Sequence, residues 1–464
     1  MYHLQTRWKL EDQGLYYYGL RNKKQMFKNL VKISRKQREI IGTLPCSLTE
    51  AQKAVLGSLL GVQVVTEDQL RPLPRSLREA RFCTDCCAND FILPGLEFDD
   101  QGRCPLCQTA EETRDLRSIL PIVVEIPPTP EAPFDCALFY TGGKDSTFLL
   151  YYLSKVKGLR VLALTWEIPF LSDSARASIQ GAKEVFPDVT FRGERLPDET
   201  LRRFYRKLYA LSENTCACPS LAYVLFYPLM VELEVPCFLA GNEPVQMLGL
   251  YYNRMAPRLA YRFGQSKVLP ALMNLGRVLT LRPPLKQGQF QTLMTMKQLA
   301  YGDHPVKRLS GYESELVSNI VAAMEEVPEL LPPLREAICR SDRTGKVPAF
   351  VHLDFDAIAG GNYDWNKVKD ILAAECGWVP PAAGQKALHT SCFIEKCKDH
   401  TQFLRFYHCR SKMIPFSALE MALASGRTGR SREEMMEEME DHLGLTLDPP
   451  LECAIMTGYL DEDA

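Results

Sequence analysis

The sequence predicts an α/β protein whose centre is a doubly wound parallel sheet. Three observations carry that expectation. Between Phe134 and about Pro284, short apolar runs alternate with helix-patterned segments. The runs are Ala137–Tyr140, Val161–Trp166, Val189–Phe191, Cys237–Ala240 and Val278–Leu281, with helical stretches such as Ala175–Val185 and Thr200–Ser212 between them. Polar loops follow three of the runs, at Thr141–Ser146, Thr165–Glu167 and Gly241–Pro244. Ligands of such sheets bind outside the carboxyl ends of the strands, so these loops should meet at one edge.

The elements divide the 464 residues into four expected parts. Residues 1–80 form a small helical unit: the patterns Ile33–Ile41 and Thr49–Leu60 flank a Gly-Thr-Leu-Pro turn, and Val62–Val65 reads as a short strand. Ser47 followed by Glu50 has the spacing of a capping box. This order fits a small winged-helix or peptide-recognition unit, or a packing extension. Residues 81–120 hold a metal knuckle, residues 121–284 the sheet domain, and residues 285–464 a mostly helical region. In the last part, Glu313–Met324 and Ser431–His442 are amphipathic, and a helix is expected from Tyr363 to Trp378.

Bulk properties narrow the function classes. A net charge of −2 makes no global electrostatic claim on nucleic acid or membrane. The beginning is basic (Arg21, Lys23, Lys24, Lys28, Lys32, Arg35, Lys36, Arg38), which fits a solvated helix face or an arm for RNA or an acidic partner. No run approaches the ~18–20 apolar residues of a membrane span. Tyr2–Lys9 is too polar for a signal-peptide core, so a cytoplasmic protein is expected. Sixteen cysteines in a reducing compartment point to metal ligands and small core residues rather than disulfides.

Cys83-x-x-Cys86 and Cys104-x-x-Cys107, seventeen residues apart, have the layout of a four-thiolate structural zinc site. The hairpin Phe91–Gly102 would bring the two turns together, and Cys87 is a neighbour able to replace Cys86. Four thiolates leave no open position, so this ion would be architectural.

Thr141-Gly-Gly-Lys-Asp-Ser146 joins a strand pattern to a helix pattern. Two glycines let the backbone approach an anion, and the amides at a helix start point at phosphate oxygens. Lys144 adds a positive charge, Asp145 offers magnesium a hard oxygen ligand, and Thr141 and Ser146 supply hydroxyls. Cys216 and Cys218 precede a helix, Ala222–Leu233, where a thiol becomes a nucleophile or soft-metal ligand. Three roles fit this pair: iron–sulfur ligation, sulfur carriage, or a structural turn. Cys392 and Cys397, flanked by His389 and His400, are a second metal candidate, alone or with Cys216 and Cys218; a helix with incidental thiols fits equally.

The Thr-Gly-Gly-Lys-Asp-Ser loop resembles the Ser-Gly-Gly-x-Asp-Ser signature of the PP-loop ATP pyrophosphatases, with Thr141 keeping the hydroxyl. The resemblance implies a PP-loop, HUP-like sheet and cleavage of ATP between the α and β phosphates. An adenylated substrate oxygen would form, and a nitrogen or sulfur nucleophile would then displace AMP. It implies that Thr141, Gly142, Gly143, Lys144, Asp145, Ser146 and Gly241 bind ATP with magnesium. Leu164 and Thr165 would cradle adenine, and Asn242 and Glu243 would orient the acyl group or hold magnesium. The order of knuckle, Phe134-Asp-Cys, Thr-Gly-Gly-Lys-Asp-Ser-Thr147, Leu164-Thr-Trp and Gly241-Asn-Glu is similar to the N-acetyl sugar amidotransferases over roughly residues 81–440. That branch implies a sugar or other small-molecule acceptor and ammonia from a separate partner protein. Sulfur-inserting relatives place cysteines near the position of Cys216 and Cys218 and bind a [4Fe–4S] cluster; they imply a sulfur donor and tRNA, a peptide or a metabolite as acceptor. The near-neutral charge favours a non-nucleic-acid acceptor.

Overall fold

The computed structural model describes residues 1–22, 29–61, 64–67, 72–110, 122–214, 217–253, 255, 266, 268–302, 314–381, 388, 391–424 and 430–462. Near the N-terminus, β1 (Trp8–Glu11), β2 (Gly14–Tyr17) and β3 (Leu30–Val31) form an antiparallel sheet that the sequence reading missed. Gly14 is required there: its φ is +145°, and a Cβ would lie 2.2 Å from the Val31 carbonyl oxygen. Two helices follow, α1 (Arg35–Gly42) and α2 (Glu50–Leu56). Their capping boxes are Ser34 with Gln37 and Thr49 with Gln52, not Ser47 with Glu50. Thr49 is the residue directly before the first helical one, so its hydroxyl meets the Gln52 amide three residues on. The expected strand at Val62–Val65 is shifted to Val65–Thr66, paired with His3–Leu4; residues 62 and 63 lie outside the described residues.

Arg21 belongs to no solvated arm. It is 5% exposed, its guanidinium lies 5.0 Å from the Trp8 ring centre, and it pairs with Glu97 at 3.6 Å. Lys23, Lys24 and Lys28 lie outside the described residues. The buried Arg7 donates to the Tyr407 and Phe406 carbonyls at 2.7 and 2.8 Å. It thereby caps the end of a C-terminal helix and ties the N-terminal unit to it.

A short strand, β4 (Ile122–Val123), leads into the sheet region. There the order is β5 (Cys136–Phe139), α3 (Lys144–Tyr151), β6 (Val161–Trp166), α4 (Asp173–Val185), β7 (Thr190–Glu194), α5 (Asp198–Ser212), α6 (Cys218–Glu232) and β8 (Cys237–Ala240). Every residue of β5 and β6 is buried, as a parallel sheet covered on both faces requires.

The fifth strand comes from elsewhere. Val278–Leu281 is not a strand: Val278 and Leu279 end α8 (Val268–Leu279), which follows α7 (Pro244–Tyr252). Val268, Leu272, Leu275 and Leu279 recur at helical spacing, and Arg277 donates to Asp342 at 2.6 Å. After α9 (Gln287–Tyr301), α10 (Glu315–Met324) and α11 (Leu331–Thr344), the chain returns as β9 (Ala349–Phe350), parallel to β8. The sheet order is β9-β8-β5-β6-β7 with all pairings parallel. The order in which strands are added reverses between β5 and β8, so the crevice at their carboxyl ends is the topological switch point.

Alternate sheet residues feed two cores. Leu138, Tyr140 and Ala163 join one with the knuckle; Ala137, Phe139, Leu164 and Phe238 join the other with α9, α10 and α11. Beyond β9 come β10 (His352–Leu353), paired with β4, then α12 (Trp365–Glu375), α13 (Glu395–Tyr407) and α14 (Phe416–Ala424). No helix among the described residues is long and apolar enough to cross a membrane.

Candidate active site

The loop after β5 turns sharply into α3. Gly142 has a φ of +71°, and a Cβ on it would lie 2.5 Å from the Ala175 carbonyl oxygen of α4, so only glycine fits. Gly143 is the N-cap, with ordinary φ −76°. The Thr147 N–H donates to the Gly143 carbonyl at 3.0 Å, so the amides of Lys144, Asp145 and Ser146 come before the helical ladder and bear the positive end of its dipole. Thr141 and Ser146 hold the loop closed, their hydroxyl oxygens 3.2 Å apart.

Gly241, after β8, packs onto this loop. A Cβ there would lie 2.8 Å from the Ser146 amide nitrogen. The next residue, Asn242, lines a cavity of about 280 Å³. The glycine-rich loop and the cavity are therefore separated by one turn of chain.

Two residues that the sequence reading left without a role complete the cradle from behind. The Tyr363 hydroxyl donates to Asp145 at 2.6 Å, and the Trp365 indole N–H donates to Glu243 at 2.6 Å. Tyr363 stays protonated, because burial and the neighbouring Asp145 raise its pKa well above the usual range. Glu243 is 2% exposed; burial pushes its carboxyl up to about 8, against the opposing pull of Lys144. Lys144 is turned inward. Its ammonium meets the Asp145 carboxylate, lies 3.3 Å from the Tyr363 oxygen and sits over the Tyr363 and Trp365 rings. Its charge thus acts on the loop from within rather than through an extended side chain. Burial and the fields of Arg430 and Lys144 bring the Lys369 ammonium down to about 8. The signal for these partners was the aromatic pair Tyr363 and Trp365 beside a helix start, but nothing local in sequence ties residue 363 to residue 145.

Leu164 and Thr165 lie at the end of β6. The Leu164 carbonyl already accepts from the Tyr140 N–H at 2.8 Å, and the Thr165 hydroxyl donates to the Tyr140 carbonyl at 2.9 Å. These groups brace the cradle loop.

The knuckle forms as expected. Cys83, Cys86, Cys104 and Cys107 bring their sulfurs within 4.8 Å of one another, and Cys87 stays outside the cluster. Sulfur separations are 3.9 Å for Cys83–Cys107 and 3.6 Å for Cys86–Cys104. A tetrahedron with zinc–sulfur bonds of about 2.3 Å has edges of about 3.8 Å, so the four residues suit zinc. Backbone amides of Asp85, Ala88 and Cys104 donate to the sulfurs and favour the thiolate form.

The other cysteines part company. Cys216 lies outside the described residues, as does His389. Cys218 opens α6, and its sulfur lies 3.4 Å from the Lys398 ammonium, with Cys392 at 3.9 Å. Burial raises the Cys392 thiol to about 12. Cys397 instead interacts with Cys453, so it and Cys392 have different partners. Among the described residues the knuckle is the one group of three or more metal-competent side chains.

No known family profile matches the chain, and no curated protein does. Among solved structures, the U34-tRNA thiolase NcsA from Methanococcus maripaludis, with its [4Fe-4S] cluster, is similar at 15% identity with a TM-score of 0.23, over 56% of this chain and 86% of the thiolase. The chemistry of the site therefore rests on its own residues.

Proposed function

We propose that the chain is an ATP-dependent adenylating transferase. A carbonyl oxygen of an acceptor attacks the α phosphorus of ATP, pyrophosphate leaves, and a second nucleophile then displaces AMP. The single observation that carries this is the Gly241–Asn242 turn, which packs on the phosphate loop with one residue and lines the cavity with the next. In this reading the amides at the start of α3 hold the phosphates and stabilise charge on the leaving group. Tyr363 fixes Asp145 and Trp365 fixes Glu243, so the loop stays in its anion-binding form while the charge moves. Magnesium, which Asp145 would ligate, supplies electrostatic neutralisation of the phosphates. Zinc in the knuckle would hold that module in the shared core.

Sulfur is the transferred group that the site favours, because the Cys218 thiol lies beside the cavity wall with the Lys398 ammonium 3.4 Å away. Nitrogen transfer, as in the sugar amidotransferases, rests on motif order alone. Formation of AMP and pyrophosphate from ATP, rather than ADP and phosphate, tests the first step. Cys218→Ser tests the second: AMP formation persists and sulfur-bearing product is lost. If the variant still makes the sulfur-bearing product, sulfur does not pass through this thiol; a product that carries new nitrogen and no sulfur makes nitrogen transfer the better reading.

A further inference from the structure

We infer that α8 is a self-association surface, on which a second copy of this chain docks through the outward row Val268, Leu272, Leu275 and Leu279. The helix is built inside out. A surface helix normally turns its apolar stripe to the core and its polar face to water. In α8 none of the twelve residues is buried. Val268, Leu272, Leu275, Val278 and Leu279 are 54–75% exposed, and Leu281, just beyond the helix, is 91% exposed. Spacings of three and four place Val268, Leu272, Leu275 and Leu279 in one row, with Ala271, Gly276 and Val278 on its flanks. The polar residues Asn274 and Arg277 lie on the opposite side and face the protein.

Hydrogen bonds hold the helix that way. Asn274 donates to the Leu285 carbonyl at 3.0 Å and accepts from the Leu285 N–H at 2.9 Å. Arg277 donates to the Pro283 carbonyl at 2.7 Å, and to the Asp342 carboxylate and carbonyl at 2.6 and 2.9 Å. Met273, on the same side, packs against the core beneath. Rolling the helix to hide its apolar row would break these bonds and pull a cation away from Asp342, so the row is fixed outward.

Area and charge choose the occupant. The six exposed side chains present on the order of 600 Å² of apolar surface, the upper end for one patch on a monomer. Two such faces make about 1,200 Å², the lower end of a specific protein–protein interface. The outward row carries no charge, so two-fold pairing with its own copy opposes no like charges. Gly276 has nothing within 4 Å of where a Cβ would lie, so a facing backbone can come close. A lipid surface is the competing occupant, but interfacial helices bring a polar face rich in lysine and arginine. The one cation of α8, Arg277, is committed to Asp342.

The test is sedimentation of the full chain from about 1 to about 100 μM, with amide exchange measured at both ends of the range. The mass should rise from the 52.6 kDa of one chain towards twice that value. Exchange in residues 268–279 should slow as the concentration rises. Leu275→Glu should hold the chain at the monomer mass, raising the dimer dissociation constant at least about 100-fold, because two-fold symmetry puts the substitution into the interface twice. Leu272→Gln is a milder variant in case the first does not fold, and should raise that constant about tenfold. Leu451→Glu, at a residue 75% exposed on another helix, should change nothing. A wild-type chain that stays monomeric at the highest concentration overturns the inference. So does a dimer that both α8 variants leave intact, or one whose formation leaves exchange in α8 unchanged. Binding to vesicles of mixed neutral and anionic phospholipid, abolished by Leu275→Glu in a chain that is monomeric in solution, assigns the row to lipid instead.

Discussion

Replacing Gly142 with Ala is the sharpest perturbation of the cradle. The native φ of +71° costs an L-residue roughly 1–2 kcal/mol. The new Cβ would also lie 2.5 Å from the Ala175 carbonyl oxygen and 3.0 Å from Cγ1 of Ile179. Carbon contacts are comfortable at about 3.5–4.0 Å, so something must move by about 1 Å. Ile179 can rotate. Ala175 cannot easily yield, because it sits in the first turn of α4 and its own amide donates to the capping hydroxyl of Ser172 at 3.1 Å. The loop therefore moves, carrying the amides that would meet phosphate in the proposed function. A displacement of about 1 Å in such a site can cost about 100-fold in rate, or about 2.7 kcal/mol of barrier. Steady-state AMP formation and urea denaturation should be measured together. Stability should fall by about 1–3 kcal/mol and AMP formation about 100-fold. Gly158→Ala is the companion: its φ is +65° and nothing lies within 4 Å, so it should lose about 1–2 kcal/mol of stability and no activity. If both variants keep wild-type turnover, the loop at residues 141–146 does not hold the phosphates.

Other outcomes follow from the same network. The folded-state pKa of Glu243, about 8, lies above its unfolded value, so its contribution to stability is fully present at low pH and is lost as pH rises from about 4.5 to 8. Glu243→Gln should flatten that decline, which for one proton is at most about 1.4 kcal/mol per pH unit; unfolding curves across this range would refute it by superimposing after a constant offset. His352 has the opposite sign: its pKa of about 4 is depressed, so stability is lost as pH falls below about 6.5, and His352→Phe should remove that acid sensitivity. Trp365→Phe takes the hydrogen bond from Glu243 and should cost about 1–3 kcal/mol, with slower AMP formation, by denaturation and product assay. Cys104→Ser should release the knuckle metal and lower the melting temperature, because Cys83, Cys104 and Phe91 share one core with the sheet; metal analysis finding no ion in the wild type would sink this.

Much of this site was legible in the residues. Cys83, Cys86, Cys104 and Cys107 announce themselves because ligation geometry demands two short turns, and short turns are local in sequence. Thr141–Ser146 did so because two glycines between an apolar run and a helix pattern have few other uses. The fifth strand was misread: Val278 is β-branched and Leu279 apolar, but the stripe through Val268, Leu272 and Leu275 has helical period. Its true residues, Ala349–Phe350, are too short a run to carry a pattern. The hairpin at Trp8–Tyr17 went unseen although Gly14 marks its turn.

By itself the sequence determined the alternation that makes a parallel sheet, the thiol knuckle and the position of the glycine-rich loop that opens α3, all set by neighbours within a few residues. Tertiary structure alone decided which side chains surround that loop. Tyr363 reaches Asp145, Trp365 reaches Glu243, and Lys398 stands beside Cys218 and Cys392 across separations that no local pattern encodes. It also decided that Cys392 and Cys397 have different partners and that His352 lines a cavity without a hydrogen-bond partner. The physical reason is that backbone turns and periodicities are written in adjacent residues, whereas the field and burial that tune a carboxyl, an ammonium or a thiol come from whatever the packed chain brings within a few ångströms.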